Sequence, residues 1–138
     1  MKKISLLLLI GILFYSCSDS VSNNNPYIPN YTFSTTINTN LAQFSNLKYV
    51  SNAVFINQPG VGVKGVYVFN TGSGYNAFDA ACPNQTLSDC STLTLNGIKL
   101  VCPCDKEEYN LFSGQSTLKY PLKQYRVEVN NNIIRVYN

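Results

Sequence analysis

Four of the five cysteines lie close together in the chain, and they are the residues with the clearest chemical potential. Cys82 and Cys90 form one group, and Cys102-Pro103-Cys104 forms another. Thiolates bind soft metal ions and iron–sulfur clusters, and two thiols can oxidise to a disulfide. The chain contains no histidine. This excludes catalytic triads and dyads in which imidazole is the general base.

The segment between the two cysteine groups predicts a β-hairpin. Apolar and polar residues alternate from Thr92 to Asn96, and a second apolar run follows Gly97. Asn-Gly is the preferred pair for a two-residue type I′ turn, in which both φ angles are positive. A hairpin with this turn brings its two ends together. Both cysteine groups are therefore expected at its base.

The N-terminus has the pattern of an export signal. Lys2-Lys3 precedes an apolar run from Ile4 to Tyr15, which is too short to span a bilayer as a stable helix. Ser16-Cys17 follows and is similar to a bacterial lipobox, in which the cysteine becomes the acylated first residue. We therefore expect residues 1–16 to be a lipoprotein signal peptide and residues 17–30 to be a lipidated polar tether, with the lipid on Cys17. This places the protein in the bacterial cell envelope, on the periplasmic or cell-surface side.

Short strands separated by polar turns account for residues 31–138, a normal length for one domain. Tyr31–Ile37 alternates with period two, and Leu41–Leu47 suits an irregular turn or one helical turn. Further strands are predicted at 53–56, 63–69, 75–80, 125–129 and 133–136. No stretch sustains a capped helical period. The pattern is typical of an all-β domain, a small sandwich or barrel.

The charge balance limits the partners. Removing Lys2 and Lys3 with the signal leaves eight Lys and Arg, ten minus two, against seven Asp and Glu. This near-neutral balance provides no basic patch and argues against nucleic-acid binding. The expected partners are the membrane, through lipid on Cys17, and a protein that the sequence does not identify. We do not expect an enzyme beyond an electron-transfer component.

The four domain cysteines allow more than one interpretation. Exported proteins meet oxidising conditions, and four is an even number, so two disulfides are the simplest outcome. Four thiolates also suit one zinc or iron ion or an all-cysteine [2Fe–2S] cluster. The C-x-C spacing of Cys102 and Cys104 is, however, tighter than the spacing usual in zinc sites. The residues alone leave these interpretations open.

The spacing across both cysteine groups resembles the Rieske iron–sulfur domain, whose motifs are C-x-H and, fifteen to seventeen residues later, C-x-x-H. Here Cys82-Pro83-Asn84 matches the first motif, seventeen residues follow, and Cys102-Pro103-Cys104-Asp105 matches the second. Asn84 and Asp105 therefore stand where the histidines would be. Tyr109–Gly114 and Pro121–Tyr125 add to the resemblance. The chain is most similar to the histidine-lacking Rieske-like lipoproteins of Bacteroidetes-type bacteria.

The resemblance implies an all-β, Rieske-like fold with a cysteine-loop hairpin subdomain inserted at about 82–109. It also implies that Cys82 and Cys102 would ligate the same iron, which places their sulfurs close enough for a disulfide once the iron is absent. Cys90 and Cys104 match the second cysteine pair of respiratory Rieske proteins. We therefore expect the disulfides Cys82–Cys102 and Cys90–Cys104, and no cofactor.

A [2Fe–2S] cluster is the alternative cofactor. It would be held by Cys82 and Cys102, with Asp105 and one further ligand in place of the imidazoles. Asn84 offers only a neutral amide oxygen, a poor ligand for this iron. The expected function is therefore a membrane-anchored envelope lipoprotein with a binding or structural role, and the alternative is single-electron transfer by a bound cluster.

Overall fold

The computed structural model describes residues 24–138, in which nine strands and one 3-10 helix, Ala42–Lys48, are present. The predicted signal peptide and Cys17 lie outside the described residues. Between residues 24 and 138, no helix is long and apolar enough to cross a membrane. The strands are β1 (Ser34–Asn38), β2 (Ala53–Ile56), β3 (Val66–Asn70), β4 (Tyr75–Asp79), β5 (Thr94–Asn96), β6 (Lys99–Val101), β7 (Glu108–Asn110), β8 (Gln124–Asn130) and β9 (Ile133–Tyr137).

Two antiparallel sheets contain all nine of these strands. Six form a sheet in the order β1-β9-β8-β4-β3-β2, and β5-β6-β7 form a smaller sheet. The first strand pairs with the last, with Ile37 opposite Ile134. β8 connects the two halves of the large sheet, because Tyr125 near its start pairs with β4 and the rest of the strand pairs with β9. The prediction of an all-β domain is confirmed.

β3 lies at the centre of the core, and all five of its residues are buried. Successive side chains of a strand point to opposite faces. Val66 and Val68 accordingly pack in one apolar cluster with residues of β1 and β9. Tyr67 and Phe69 pack in a second cluster with residues of the small sheet. Burial on both faces explains why β3 is an unbroken apolar run rather than an alternating one.

The second cluster attaches the small sheet to the large one. It contains Phe78 from β4, Leu100 and Tyr109 from the small sheet, and the cysteines Cys82 and Cys102. All five side chains are at most 1% exposed. The cysteine loops are therefore fixed to the large sheet by apolar burial as well as by covalent bonds.

The turn of the hairpin differs from the predicted one. Asn96 pairs with Lys99, so the two loop residues are Gly97 and Ile98 rather than Asn96 and Gly97. Gly97 has a φ of 61°, and Ile98 is not among the residues with positive φ. A glycine at the first loop position alone is the pattern of a type II′ turn, so the prediction of type I′ was wrong. Moving the turn by one residue shifts the pairing between the strands by two residues, so Leu95 lies opposite Leu100 rather than Ile98. A shift of two leaves the same side chains on each face of the hairpin, and hydrophobic alternation therefore cannot distinguish the two registers.

The last part of the predicted tether packs against the domain, which differs from the sequence expectation. We refer to residues 24–31 as the N-terminal segment. Ile28 is 3% exposed, and the Asn25 side chain donates a hydrogen bond to the Pro83 carbonyl at 2.8 Å. The buried Lys123 ammonium donates to the Pro29 carbonyl and the Asn30 side chain, each at 2.9 Å. The domain therefore includes residues before Tyr31.

Candidate functional site

The candidate site consists of two loops at one end of the small sheet. The first loop runs from β4 to β5 and contains Cys82 and Cys90, and the second joins β6 to β7 and contains Cys102 and Cys104. Cys82 is bonded to Cys102 with a Cα–Cα distance of 5.7 Å. Cys90 is bonded to Cys104 with a Cα–Cα distance of 5.2 Å. These are the pairs that the family resemblance implies.

Backbone hydrogen bonds close both loops at their bases. The Cys82 amide donates to the Ser91 carbonyl at 2.8 Å, and the Leu93 amide donates to the Ala80 carbonyl at 2.7 Å. In the second loop, the Cys102 amide donates to the Glu107 carbonyl at 2.9 Å. Cys82 and Cys102 thus each lie at the start of a loop, and the hydrogen bond from the backbone amide of each cysteine fixes its position.

Asp79 positions the entrance to the first loop. Its side chain is fully buried at the end of β4. One carboxylate oxygen accepts hydrogen bonds from the Val63 amide at 2.6 Å and the Tyr125 hydroxyl at 2.7 Å. The other accepts from the Ala81 amide at 2.8 Å and the Lys64 amide at 3.3 Å. Four donors around a buried carboxylate connect three separate parts of the chain just before Cys82.

The same contacts perturb Tyr125. Burial raises the pKa of its phenol, and the neighbouring Asp79 carboxylate raises that pKa further. The phenol therefore stays protonated well above the pH at which a free tyrosine ionises, and it remains a donor to Asp79.

Asn84, at the position of the first missing histidine, joins the first loop to β7 and to the segment that precedes β8. Its amide nitrogen donates to the Tyr109 hydroxyl at 3.0 Å and to the Tyr120 carbonyl at 2.7 Å. Its amide oxygen accepts from the Tyr120 backbone amide at 2.9 Å. Burial raises the pKa of the Tyr109 phenol, while the hydrogen bond from Asn84 acts in the opposite direction. Both ends of the Asn84 side chain are therefore used in structural contacts.

Asp105, at the position of the second missing histidine, is exposed. One of its carboxylate oxygens accepts a hydrogen bond from the Glu107 amide at 3.0 Å, so the side chain stabilises its own loop. Glu107 accepts from the backbone and hydroxyl of Thr117, and these hydrogen bonds lower its pKa. Glu108 pairs with Lys99 across the small sheet. The acidic run beside the cysteines is thus engaged in local contacts.

Hydroxyl groups surround the second disulfide. The Ser88 hydroxyl lies 3.3 Å from the Cys90 sulfur and 3.8 Å from the Cys104 sulfur. The buried Ser91 hydroxyl lies 3.9 Å from the Cys104 sulfur. Gln85 donates to the Ser91 hydroxyl at 3.3 Å and to the Cys102 sulfur at 3.7 Å. A polar network therefore connects the surroundings of the two disulfides.

These residues do not fit the mixed thiolate and imidazole ligation of a Rieske cluster. The sulfurs of Cys82 and Cys102 are bonded to each other. Asn84 directs its amide into three hydrogen bonds, and Asp105 folds back onto its own loop. Among residues 24–138, no group of three or more His, Cys, Asp or Glu side chains is placed to hold a metal ion.

A solved structure identifies the architecture. The plasma membrane Rieske protein of the cyanobacterium Synechocystis superimposes with a TM-score of 0.51 and 25% identity, over 68% of this chain and 93% of that one. The chain has a Rieske-like fold. The ferredoxin of carbazole 1,9a-dioxygenase from Nocardioides aromaticivorans also matches, with a TM-score of 0.47 and 15% identity over 78% of this chain and 97% of that one. No protein-family model and no curated protein matches the chain.

Sequence reasoning missed several residues that shape the Rieske-like domain. Asp79 is the charged residue in the apolar run Ala77–Ala81, and Lys123 follows Pro-Leu two residues before a predicted strand. A lone charge within an apolar run is the signal that could have marked both residues as buried and partnered. Ser88 and Ser91 flank Cys90, but the sequence does not say which way serine hydroxyls point.

Proposed function

We propose that this protein is an exported, lipid-anchored envelope protein whose Rieske-like domain is cross-linked by disulfides in place of a cluster and serves as a binding or structural module. We place it with the histidine-lacking Rieske-like lipoproteins of Bacteroidetes-type bacteria. The observation that carries the proposal is the fully buried Cys82–Cys102 disulfide, which lies where the family's cluster ligands would be. Cys17 is the proposed lipid attachment site.

The contacts of the neighbouring residues support the same conclusion. Asn84 and Asp105 occupy the positions of the two histidines, and each makes hydrogen bonds that hold its loop. Cys90 and Cys104 cross-link the same two loops a second time. The residues at the positions that carry the family's chemistry thus contribute to stability here.

The test is the metal and thiol content of the full chain purified without oxygen. We expect a colourless protein without iron, with no free thiol among the four domain cysteines under denaturing conditions. A reddish-brown preparation with visible absorption and a reduced-state electron paramagnetic resonance signal of a two-iron centre would overturn the disulfide proposal. It would favour the alternative, [2Fe–2S] electron transfer, for which the interval between Cys82 and Cys102 is the supporting observation.

The proposed anchor has its own test. We expect mass spectrometry of the mature protein to find an N-terminal Cys17 with an added acyl mass, and cell fractionation to find the protein with the membranes. Cys17→Ser should prevent acylation and release the domain from the membrane. A mature N-terminus at another residue would contradict the anchor without affecting the disulfide proposal.

A further inference from the structure

The two disulfides differ in their access to solvent. Cys82 and Cys102 are both 0% exposed. Cys90 is exposed, and Cys104 is half-buried. Exchange requires a thiolate from another molecule to reach one sulfur along the S–S axis. Only the second disulfide, and chiefly its Cys90 sulfur, meets that requirement in the folded domain.

The surroundings of the exposed disulfide favour its opening. A disulfide sulfur carries no hydrogen, so the serine hydroxyls beside this bond are the donors in any hydrogen bond to it. Both Ser88 and Ser91 lie within 4 Å of the Cys104 sulfur, at 3.8 and 3.9 Å. Hydrogen bonds to sulfur stabilise a thiolate, and a more stable thiolate leaves faster. The Ser88 hydroxyl is nearer still to the Cys90 sulfur, at 3.3 Å, so these donors favour opening of the bond from either end. The exposure of Cys90 then selects its sulfur as the one attacked, with Cys104 as the leaving thiolate.

The fold does not depend on the exposed bond alone. Cys82–Cys102 joins the same two loops from within the apolar core. The Asn84 side chain also ties the first loop to Tyr109 and Tyr120. If Cys90–Cys104 opens, both loops remain connected by a covalent bond that solvent does not reach.

We propose that Cys90–Cys104 is a reversible redox site that exchanges with a dithiol protein of the envelope, while Cys82–Cys102 remains closed as a structural bond. A partner thiolate attacks the Cys90 sulfur, the Cys90–Cys104 bond breaks, and Cys104 leaves as a thiolate that takes up a proton. The second partner thiol then attacks the mixed disulfide and releases Cys90 as a thiol. The partner dithiol is oxidised to a disulfide, and Cys90 and Cys104 gain two electrons and two protons. The inference rests on the proposed disulfide state of the domain.

Differential alkylation of the oxidised full chain tests this inference. The protein is treated under native conditions with increasing dithiothreitol or reduced thioredoxin and quenched with acid. Free thiols are then alkylated with one reagent, and the remaining cysteines are reduced, after denaturation, and alkylated with a second. Peptide mass spectrometry assigns each label. We expect Cys90 and Cys104 to become reduced at a dithiol concentration at least about tenfold below that needed for Cys82 and Cys102, with an unchanged circular dichroism spectrum.

Two serine variants separate exchange chemistry from simple exposure. Ser88→Ala removes a hydroxyl donor and should slow reduction of Cys90–Cys104 by about threefold to tenfold, the effect of one modest hydrogen bond. Ser45→Ala is the control, because the Ser45 hydroxyl is bonded to the Ala42 carbonyl in the 3-10 helix. It should leave the rate unchanged. An equal rate in the Ser88→Ala protein would overturn the assigned role of the hydroxyl.

The remaining outcomes distinguish this inference from the proposed function. Reduction of all four cysteines at one dithiol concentration, or of Cys82 and Cys102 first, would overturn the inference. It would not contradict the proposed function, which requires only that the oxidised protein contain both disulfides. Resistance of Cys90–Cys104 until the protein unfolds would also overturn it. Oxidised protein that lacks a Cys82–Cys102 bond would instead overturn the proposed function.

Discussion

Removing the buried disulfide Cys82–Cys102 should lower the free energy of unfolding more than removing the exposed disulfide Cys90–Cys104. The paired changes are Cys82→Ala with Cys102→Ala, and Cys90→Ala with Cys104→Ala as the matched control. The sequence separations of the two bonds are 20 and 14. These separations alone would predict a slightly larger chain-entropy effect for the buried bond.

With one bond intact, however, the other closes a much shorter ring. Eight residue steps separate Cys82 from Cys90, and two separate Cys102 from Cys104. Either bond therefore closes a ring of about ten residues when the other is present, which corresponds to about 2.7 kcal/mol of loop-closure free energy in either case. The difference between the variants must then come from packing. Both sulfurs of the buried pair lie in the apolar core, so alanine leaves a cavity that costs about 1 kcal/mol or more.

Urea unfolding followed by far-ultraviolet circular dichroism measures both free energies. The chain contains no tryptophan, so tyrosine fluorescence is the second probe. We expect the buried-pair variant to lose about 4 kcal/mol and the exposed-pair variant about 2.7 kcal/mol or less. In excess dithiothreitol, the wild type should approach the stability of the variant that lacks all four cysteines.

Two results would refute this reasoning. Equal losses in the two variants, or a larger loss in the exposed-pair variant, would show that core packing around Cys82 and Cys102 contributes nothing. Loss of bound iron from the Cys82→Ala, Cys102→Ala protein would show that these cysteines are metal ligands rather than a cross-link.

Three further predictions concern residues around the site. The pKa values of Tyr67, Tyr109 and Tyr125 are raised, chiefly by burial, so their stabilising effect is complete below the unfolded tyrosine pKa of about 10 and is lost as the pH rises through the folded values. The free energy of unfolding should therefore fall above about pH 10. The pKa of Lys123 is lowered by burial, so its contribution to stability rises with pH only up to the unfolded value of 10.5 and is constant above it. Asn84→Ala should destabilise the domain by about 1–3 kcal/mol in urea unfolding, because three hydrogen bonds from the first loop to Tyr109 and Tyr120 are lost. Lys123→Met should leave the Pro29 carbonyl and Asn30 side chain without their ammonium donor and speed hydrogen exchange in the N-terminal segment.

Each of these predictions has a control and a contradicting result. Tyr125→Phe should flatten the alkaline loss of stability, and a flat profile in the wild type would contradict the pKa argument. Asn84→Asp keeps an acceptor for the Tyr120 amide but places a carboxylate oxygen against the Tyr120 carbonyl, so it should cost at least as much as Asn84→Ala. Unchanged stability in either variant would be inconsistent with these contacts. Unchanged exchange in the N-terminal segment of Lys123→Met would show that its other contacts, among them buried Ile28 and the Asn25 hydrogen bond to Pro83, hold the segment without the ammonium.

Local features of the fold followed from the sequence because they depend on neighbouring residues. The strands near Ala53–Ile56, Tyr75–Asp79 and Ile133–Tyr137 were predicted from alternation and turn residues, and the structure has them. The strand Glu108–Asn110 was missed, since three residues are too few to show a period. The turn at Gly97 was shifted by one residue, because both registers leave the same side chains on each face.

The cysteine spacing and the absence of histidine were also readable from the sequence, and they already excluded ligation by imidazole. Only the tertiary structure decided the surroundings of each sulfur. Cys82 and Cys102 became inaccessible because the small sheet packs on β3 and β4, whereas Cys90 stayed exposed. Likewise Asn84 found partners 25 and 36 residues away, at Tyr109 and Tyr120. The sequence determines which chemical groups are present and how they are spaced along the chain. Their burial and hydrogen bonding depend on which distant surfaces meet when the two sheets pack together.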